Sequence, residues 1–202
     1  KVDYKVNDTR LRLTGKATDY ALSLRSAVEG TEIPPANVQV DGKGNIQQFN
    51  LSRLRLNALQ GKAEMNGVVD WSNAISWRSL LTIDGINTAK QWPEWPVSLN
   101  GKVSTKGSLN GGSWQIDVPE LNLNGQVKQN RLSATGSLKG NDAGQWVIPG
   151  INLALGPNTV EVKGDLANKW VLDADINAPK LTGMLPGLSG VAKGTVKLRG
   201  NA

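Results

Sequence analysis

Residues 61–71 read Gly-Lys-Ala-Glu-Met-Asn-Gly-Val-Val-Asp-Trp, and small or apolar residues occupy every second position of this stretch. Most of the intervening positions carry charged or polar side chains. Because successive side chains of a β-strand point to opposite faces, this alternation is typical of a strand with one apolar face, here called the dry face, and one polar, solvent-exposed face, here called the wet face. Residues 99–109 repeat the pattern, with Lys102 and Lys106 among the polar positions. These two stretches therefore predict a series of amphipathic strands.

The same alternation continues through the second half of the chain, from Trp114 to Ile176. Turn-forming residues separate many of the runs, at 41–42, 84–85, 110–112, 141–142, 156–158 and 168–169. About a dozen strands in a meander is the resulting prediction. We expect an all-β fold: a long curled sheet of amphipathic strands, open or partly closed, with an apolar interior and one or two very short helices. Residues 1–202 are expected to form a single continuous repetitive β-domain.

Three Asn-Gly pairs conflict with a simple assignment of turns, at 66–67, 100–101 and 124–125. An Asn-Gly pair ordinarily marks a two-residue hairpin turn. The alternation passes through all three pairs without changing phase, however, so we place these glycines inside strands. On the dry face a missing side chain permits tight curvature or leaves room for a ligand.

The chain is also weakly repetitive, because the segment 86–96 resembles the segment 176–186. Both lead into a Leu-x-Gly sequence, and both contain a short apolar stretch with a helix-like signal. These stretches are either a plug or gate over the dry face or packed connections without a functional role. The residues proposed for a plug or gate are Trp92, Trp95, Met184 and Leu185.

Composition argues against an enzyme, since the chain contains no Cys and no His among its 202 residues. It thus lacks thiols, the commonest general base and the commonest metal ligand. The carboxylates mostly alternate with the apolar positions, as Asp173 and Asp175 do, so we read them as solvated strand residues. No nucleophile elbow, phosphate loop, zinc site or calcium loop is recognisable. We predict no catalytic residues, no cofactor and no metal.

The net charge of +6 by itself would suit nucleic acid or an anionic membrane surface. Because the basic residues are scattered singly along the strands, we predict no nucleic-acid partner. The chain begins at Lys1 and contains neither a leader-like segment nor an apolar run long enough to span a membrane, which suggests a processed chain or a fragment.

The dry face is the candidate functional surface, because the sequence supplies almost no helix to cover it. Adjacent strands lie about 4.8 Å apart, so a dozen strands would form a groove of roughly 55–60 Å. An acyl chain gains about 0.8 kcal/mol per methylene removed from water, or on the order of 12 kcal/mol for fifteen methylenes. The predicted groove-lining residues, for lipid or for a β-strand, are Val103, Leu109, Ile116, Val118, Leu121, Leu123, Val127, Leu132, Leu138, Ile148, Leu153, Val160, Val162, Leu172 and Ile176.

Several short motifs, taken in order, resemble the TamB family of the AsmA-like group. They are the Leu-x-Gly strand starts, the segment 92–96 running into Leu99, and the segment 186–190 running into Gly194. The resemblance implies a β-taco, which is a curled sheet with an apolar interior, as a fragment of a longer periplasmic rod anchored in the inner membrane. It also implies a TamA-like partner barrel of the Omp85 family, phospholipid transport between the membranes, and unfolded outer-membrane β-barrels or autotransporters as clients.

Three functions follow from these observations and remain open at the level of sequence. The first is a groove that conducts lipids. The second is a holdase that offers an apolar surface or an open sheet edge to a client strand by β-augmentation. The third is a β-helical surface protein or a polysaccharide-active protein, which would need paired acids in a cleft.

Overall fold

The computed structural model describes residues 3–167 and 169–201, and strands make up most of them. The strands are β1 (Tyr4–Lys16), β2 (Asp19–Gly30), β3 (Ala36–Gly44), β4 (Gln48–Ala58), β5 (Gly61–Asp70), β6 (Ile75–Asn87), β7 (Val97–Asn110), β8 (Ser113–Val127), β9 (Asn130–Asn141), β10 (Trp146–Leu155), β11 (Asn158–Leu166), β12 (Lys169–Ala178) and β13 (Ala192–Asn201).

All thirteen strands belong to one open, curled antiparallel sheet, in which spatial order follows chain order from β1 to β13. This confirms the predicted meander of amphipathic strands. Every strand pair that the structure describes is antiparallel, whereas a parallel β-helix would stack parallel strands. The β-helical alternative is therefore wrong for the described residues.

The short helices expected near residues 88–92 and 179–186 are replaced by turns, since the described residues contain no helix. The amides of Gln91 and Trp92 both donate to the carbonyl of Thr88, which makes a single helical turn. Pro93 follows at once, and proline has no N–H with which to continue the hydrogen-bond ladder. The helix-like signal at residues 88–92 therefore corresponds to a single helical turn.

Cross-strand pairing places most of the apolar residues of every strand on the same side of the sheet, which we call the apolar face; the other side is the polar face. Directly paired residues share a face in an antiparallel sheet. Val118 pairs with Leu138, and after a register shift Leu121 pairs with Gly136, so the phase change in the sequence is absorbed by a bulge at Pro119. Proline tolerates such a position because it cannot donate to the ladder.

Two predicted turns are wrong, because 41–42 lies within β3 and 84–85 lies within β6. The register shifts at both points: Asp41-Gly42 lies opposite a bulge at Ser52 of β4, whereas 84–85 is itself the bulge in β6. Gly85 has a φ of 64°, and its N–H donates to Asn100 Oδ1 at 2.8 Å. The predicted turns at 110–112, 141–142 and 156–158 each overlap a connection and one terminal strand residue, whereas Asn168 of the pair 168–169 lies outside the described residues.

The Asn-Gly glycines lie inside strands as expected. Gly67 is in β5, Gly101 is in β7 and Gly125 is in β8. Each is paired on the apolar face, with Leu51, Ile83 and Leu99 as respective partners on neighbouring strands. Asn-Gly is a hairpin signal only where the flanking residues do not already continue the alternation of a longer strand.

The sheet buries very little of its own apolar surface. Among the described residues, the buried hydrophobic side chains are Val127, Ala178 and Met184. The accessible surface is 12896 Å², compared with about 9,200 Å² for a compact monomer of 21.6 kDa. The apolar face is therefore an open surface rather than a filled core.

Candidate functional site

The residues predicted to line a groove all lie on the apolar face. Their pairings connect them across β7 to β12 in register, as in Val103 with Leu121 and Val160 with Ile176. Most are half-buried by neighbours on the same face, while Leu153 is 44% exposed and Leu109 is 39% exposed. The sequence thus predicted the composition of this surface, and their role as a binding surface stays a prediction.

One border of the apolar face carries a regular row of aromatic side chains, one from the start of each even-numbered strand. We call it the aromatic row: Tyr20, Phe49, Trp77, Trp114, Trp146 and Trp170. Members of the row are two strands apart, or about 10 Å along the sheet. Some rings lean toward each other, since the centroids of Tyr20 and Phe49 are 6.4 Å apart and those of Trp114 and Trp146 are 6.2 Å apart.

Glycines lie beneath several of these rings. A Cβ added to Gly107 would collide with the indole of Trp77, and one added to Gly140 would collide with the indole of Trp146. Both pairs are direct cross-strand neighbours on the apolar face. The rings therefore lie flat over the backbone of the next strand, which is the aromatic cover of strand glycines used to hold register.

The indole nitrogens of this row face water. Within the described part of the chain, Trp77, Trp114 and Trp146 donate no side-chain hydrogen bond, and no buried side-chain nitrogen or oxygen lacks a partner. Their N–H groups must therefore be accessible to solvent. Trp71, in the turn after β5, differs because its Nε1 donates to the carbonyl of Ile46 at 2.7 Å.

The opposite border of the apolar face is covered by the connection between β12 and β13, residues 179–191, which we call the cap. Met184 within the cap is only 3% exposed. Its Cε lies 3.2 Å from the position that a Cβ on Gly156 would occupy, in the turn between β10 and β11. Leu185, the other predicted gate residue of this segment, is half-buried.

Two polar residues fasten the cap. Asn158 is 5% exposed, and its side chain donates to the carbonyl of Lys180 at 2.6 Å and accepts from the amide of Lys180 at 2.9 Å. Lys128 Nζ donates to the carbonyl of Gly183 at 3.1 Å. The backbone N–H of Lys128 also donates to Pro96 at 3.3 Å, so this residue links the cap with residues 88–96.

Residues 88–96 form the second covering segment of this border, closed on itself by Thr88. The hydroxyl of Thr88 accepts from the amide of Val97 at 2.8 Å and also contacts the carbonyl of Trp95. Trp92 and Trp95 are 41% and 47% exposed, so neither is inserted beneath the segment. The structure brings the predicted gate residues to the same border, where Met184 is the buried one.

Charged residues lie mainly on the polar face. The guanidinium of Arg55 donates to Glu64, with Nη2 at 2.7 Å, and this holds the pKa of that carboxyl below its ordinary value. The pKa of Asp41 is likewise lowered, chiefly by the hydrogen bond from Gln39. Both carboxylates are strand residues with hydrogen-bond partners; Glu64 alternates with apolar positions as predicted, whereas Asp41 was predicted to lie in a turn.

A recess of about 1580 Å³ opens mainly on the polar face. It is lined by serine, asparagine and both signs of charge, including Asp70, Arg78 and Lys139. A strongly twisted sheet is saddle-shaped, so each face is concave along one diagonal. This recess mixes polar and charged side chains with apolar ones such as Val68 and Leu80, so the continuous apolar face remains the better candidate site.

Two further properties of the described residues concern metal ligands and membrane-spanning helices. The described residues hold no group of three or more His, Cys, Asp or Glu side chains close enough to share a metal ion. They also contain no helix of the length and apolarity required to cross a membrane.

The sequence reasoning missed the full aromatic row and the roles of Asn158 and Lys128. Trp77, Tyr20 and Phe49 each stand within the first three residues of an even-numbered strand, and this recurring position was the available signal. Nothing local marks Asn158, because its partner Lys180 is 22 residues away.

Comparison with known proteins gives consistent results. Residues 1–202 match the family described as "TamB, N-terminal domain". The chain is 31% identical over 197 residues to the translocation and assembly module subunit TamB of Haemophilus influenzae, covering 97% of this chain and 15% of that protein. It is 22% identical over 189 residues to an uncharacterized protein of Buchnera aphidicola subsp. Acyrthosiphon pisum, covering 94% of this chain and 18% of the other. No solved structure matches the chain.

The chain therefore spans less than a fifth of the length of each of the three curated relatives named here. The third is an uncharacterized protein of Buchnera aphidicola subsp. Schizaphis graminum, 24% identical over 186 residues, with 92% of this chain and 18% of that protein covered.

Proposed function

Because the chain belongs to the family of TamB N-terminal domains, we propose that it is a non-enzymatic section of a translocation and assembly module subunit in a Gram-negative envelope. In this proposal residues 1–202 continue a longer periplasmic β-rod that is anchored in the inner membrane and works with a TamA-like barrel of the Omp85 family. The apolar face shields the acyl chains of phospholipids that pass between the two membranes.

The observation that carries the proposal is an apolar face that runs through thirteen register-matched strands and is left uncovered over most of its length. A contiguous exposed apolar surface of this size marks a binding surface in a soluble protein. At about 4.8 Å per strand it extends roughly 58 Å. The attraction of methylenes to such a surface is non-directional, so a lipid can slide along it.

The test is native mass spectrometry of the full-length protein for co-purifying phospholipid, with a matched pair of variants. Ile148 lies on the apolar face and pairs with Gly164, while its neighbour Val147 lies on the polar face and pairs with Lys139. Ile148→Asp is expected to lose bound lipid, and Val147→Asp is expected to keep it. Equal lipid occupancy in both variants would contradict a conduit on the apolar face.

A second candidate is a holdase for unfolded outer-membrane β-barrels or autotransporters. It is favoured by the outer strands of the described sheet, since within the described residues β1 and β13 each pair with one neighbour and are exposed along almost their whole length. Such edges can accept a client strand by β-augmentation. Site-specific crosslinking from β1 and β13 in cells tests this: adducts to nascent barrels support the holdase, and adducts only to flanking segments of the same protein exclude it.

A further inference from the structure

We propose that the aromatic row is the lip of the lipid path, where the glycerol backbone of a net-neutral, zwitterionic phospholipid lies, with its headgroup in water and its acyl chains directed across the apolar face toward the cap. This inference rests on the proposed lipid function and adds the orientation of the lipid. The aromatic row then positions the ligand, and the opposite border excludes its headgroup.

The first support is chemical. Tryptophan and tyrosine combine an apolar ring with a polar tip, and they concentrate where hydrocarbon meets the headgroup layer. Here the rings cover apolar-face glycines, whereas the N–H groups of Trp77, Trp114 and Trp146 reach water without a partner among the described residues. Donors placed at the border of an apolar surface match the ester oxygens of a glycerophospholipid.

The second support is the repeat of the row. Each even-numbered strand from β2 to β12 contributes one ring, so the rings recur about every 10 Å over roughly 50 Å, and every ring except that of Phe49 carries an N–H or O–H donor. A lipid that moves along the sheet would meet the same surroundings at each step. Equivalent sites in series favour movement, because no single position holds the ligand much more tightly than the next.

The third support is charge. The described connections on the side of the aromatic row are residues 17–18, 45–47, 71–74, 111–112, 142–145 and 167, and in sequence they contain one charged residue, Asp142. A border built to hold an anionic headgroup would present Lys or Arg there. Serine, asparagine, glutamine and glycine instead suit a headgroup without net charge, which remains hydrated and is not held.

The fourth support is the opposite border, which is covered between the segment 88–96 and the cap. Met184 and Val127 are buried there, and Lys128 joins the cap to residues 88–96. A charged headgroup placed at this border would have to displace a buried thioether and the paired Asn158, and burial of an unpaired charge is strongly unfavourable. The two borders are therefore unequal, and the aromatic row is the border at which water and lipid can meet.

The experiment uses the full-length protein and two photoreactive phosphatidylethanolamine probes, one with a diazirine on the headgroup and one with a diazirine at the end of an acyl chain. Labelled peptides are mapped by mass spectrometry. The headgroup probe is expected to label the hairpin turns beside Trp77, Trp114 and Trp146. The acyl-chain probe is expected to label the middle of the strands and the side of Val127.

A matched set of variants tests the role of the indoles. Trp77→Leu and Trp146→Leu should lower headgroup labelling at their own turns by about threefold to tenfold, as expected from the loss of one hydrogen-bond donor, with acyl-chain labelling unchanged. Trp71→Leu is the control, because that indole N–H already donates to Ile46. An equal loss in all three variants would overturn the assignment.

The remaining outcomes separate this inference from the proposed function. Headgroup labelling at residues 88–96 and 179–191, or equally at both borders, overturns the orientation while acyl-chain labelling of the apolar face still supports a lipid path. Stronger headgroup labelling by an anionic phosphatidylglycerol probe overturns the assignment to a zwitterionic lipid. If neither probe labels the apolar face, the proposed function fails and the orientation fails with it.

Discussion

A charge placed on the apolar face should leave the protein folded when it stands at position 138 but should unfold the protein when it stands at position 127. Leu138 is half-buried and pairs with Val118 in the open part of the face, whereas Val127 is 1% exposed at the capped border. The perturbation is the same in both cases, Leu138→Arg and Val127→Arg. Ser137→Arg, on the polar face beside Leu138, is the matched control.

The magnitudes follow from burial. Arginine at 138 can lay its methylenes on the apolar face and keep its guanidinium in water, so only part of the leucine burial is lost, about 1 kcal/mol. That corresponds to about 2–4 °C in the unfolding temperature of a chain of this size. Arginine at 127 would bury an unpaired charge, at a cost of about 3–5 kcal/mol and roughly 6–20 °C.

The assay combines thermal unfolding followed by circular dichroism, abundance in cells and lipid occupancy by native mass spectrometry. Leu138→Arg should remain folded and abundant while losing bound lipid, Val127→Arg should unfold readily, and Ser137→Arg should change neither property. If Leu138→Arg and Val127→Arg destabilise the protein equally, the apolar face is an ordinary core, and a lipid path along it is refuted.

Three further predictions rest on single contacts. Met184→Ala should destabilise the capped border by about 2–5 kcal/mol because Met184 is buried, and hydrogen exchange in residues 179–191 should accelerate while exchange in β5 stays unchanged. Gly107→Ala should shift the Trp77 indole, since the added methyl collides with that ring, and tryptophan fluorescence should report a more exposed indole. In Arg55→Gln the pKa of Glu64, measured by NMR, should rise toward its ordinary value. Because pairing with Arg55 lowers this pKa in the folded state, the ion pair stabilises the protein at pH values above the pKa of Glu64 in the unfolded state. This stabilisation is lost as the pH falls through the pKa of Glu64 in the folded state.

The repeated alternation was sufficient to predict the strands and the composition of the apolar face. Bulges were harder, because Asp41-Gly42 and Asp84-Gly85 have the residues of a turn and lie within strands. Gly85 has a positive φ, which serves a hairpin turn and a bulge equally well, whereas Gly42 lies opposite the bulge in β4. Only the pairing of the flanking residues on two neighbouring strands distinguishes them, and that information is not local.

The candidate site shows the same division between local and long-range information. Which face each residue occupies is set by its position in its own strand, so the predicted lining residues lie together. The aromatic row depends on where each strand begins relative to its neighbours, and the cap depends on contacts such as those of Asn158 with Lys180. Neither can be read from one strand alone, since both arise when hairpin ends are aligned along a common border.

Glycine residues explain how the sheet keeps an apolar face whose overlying space is not filled by its own side chains. Aliphatic side chains at every apolar-face position would pack against each other and favour collapse into a two-layer core. Here glycines such as Gly107 and Gly140 alternate with larger residues, and the rings of Trp77 and Trp146 fold down onto them instead of projecting outward. Apolar side chains are thus held close to the backbone by neighbours on the next strand. The face keeps its register through these pairs, and because they occupy little space above the sheet, apolar surface stays available to a ligand.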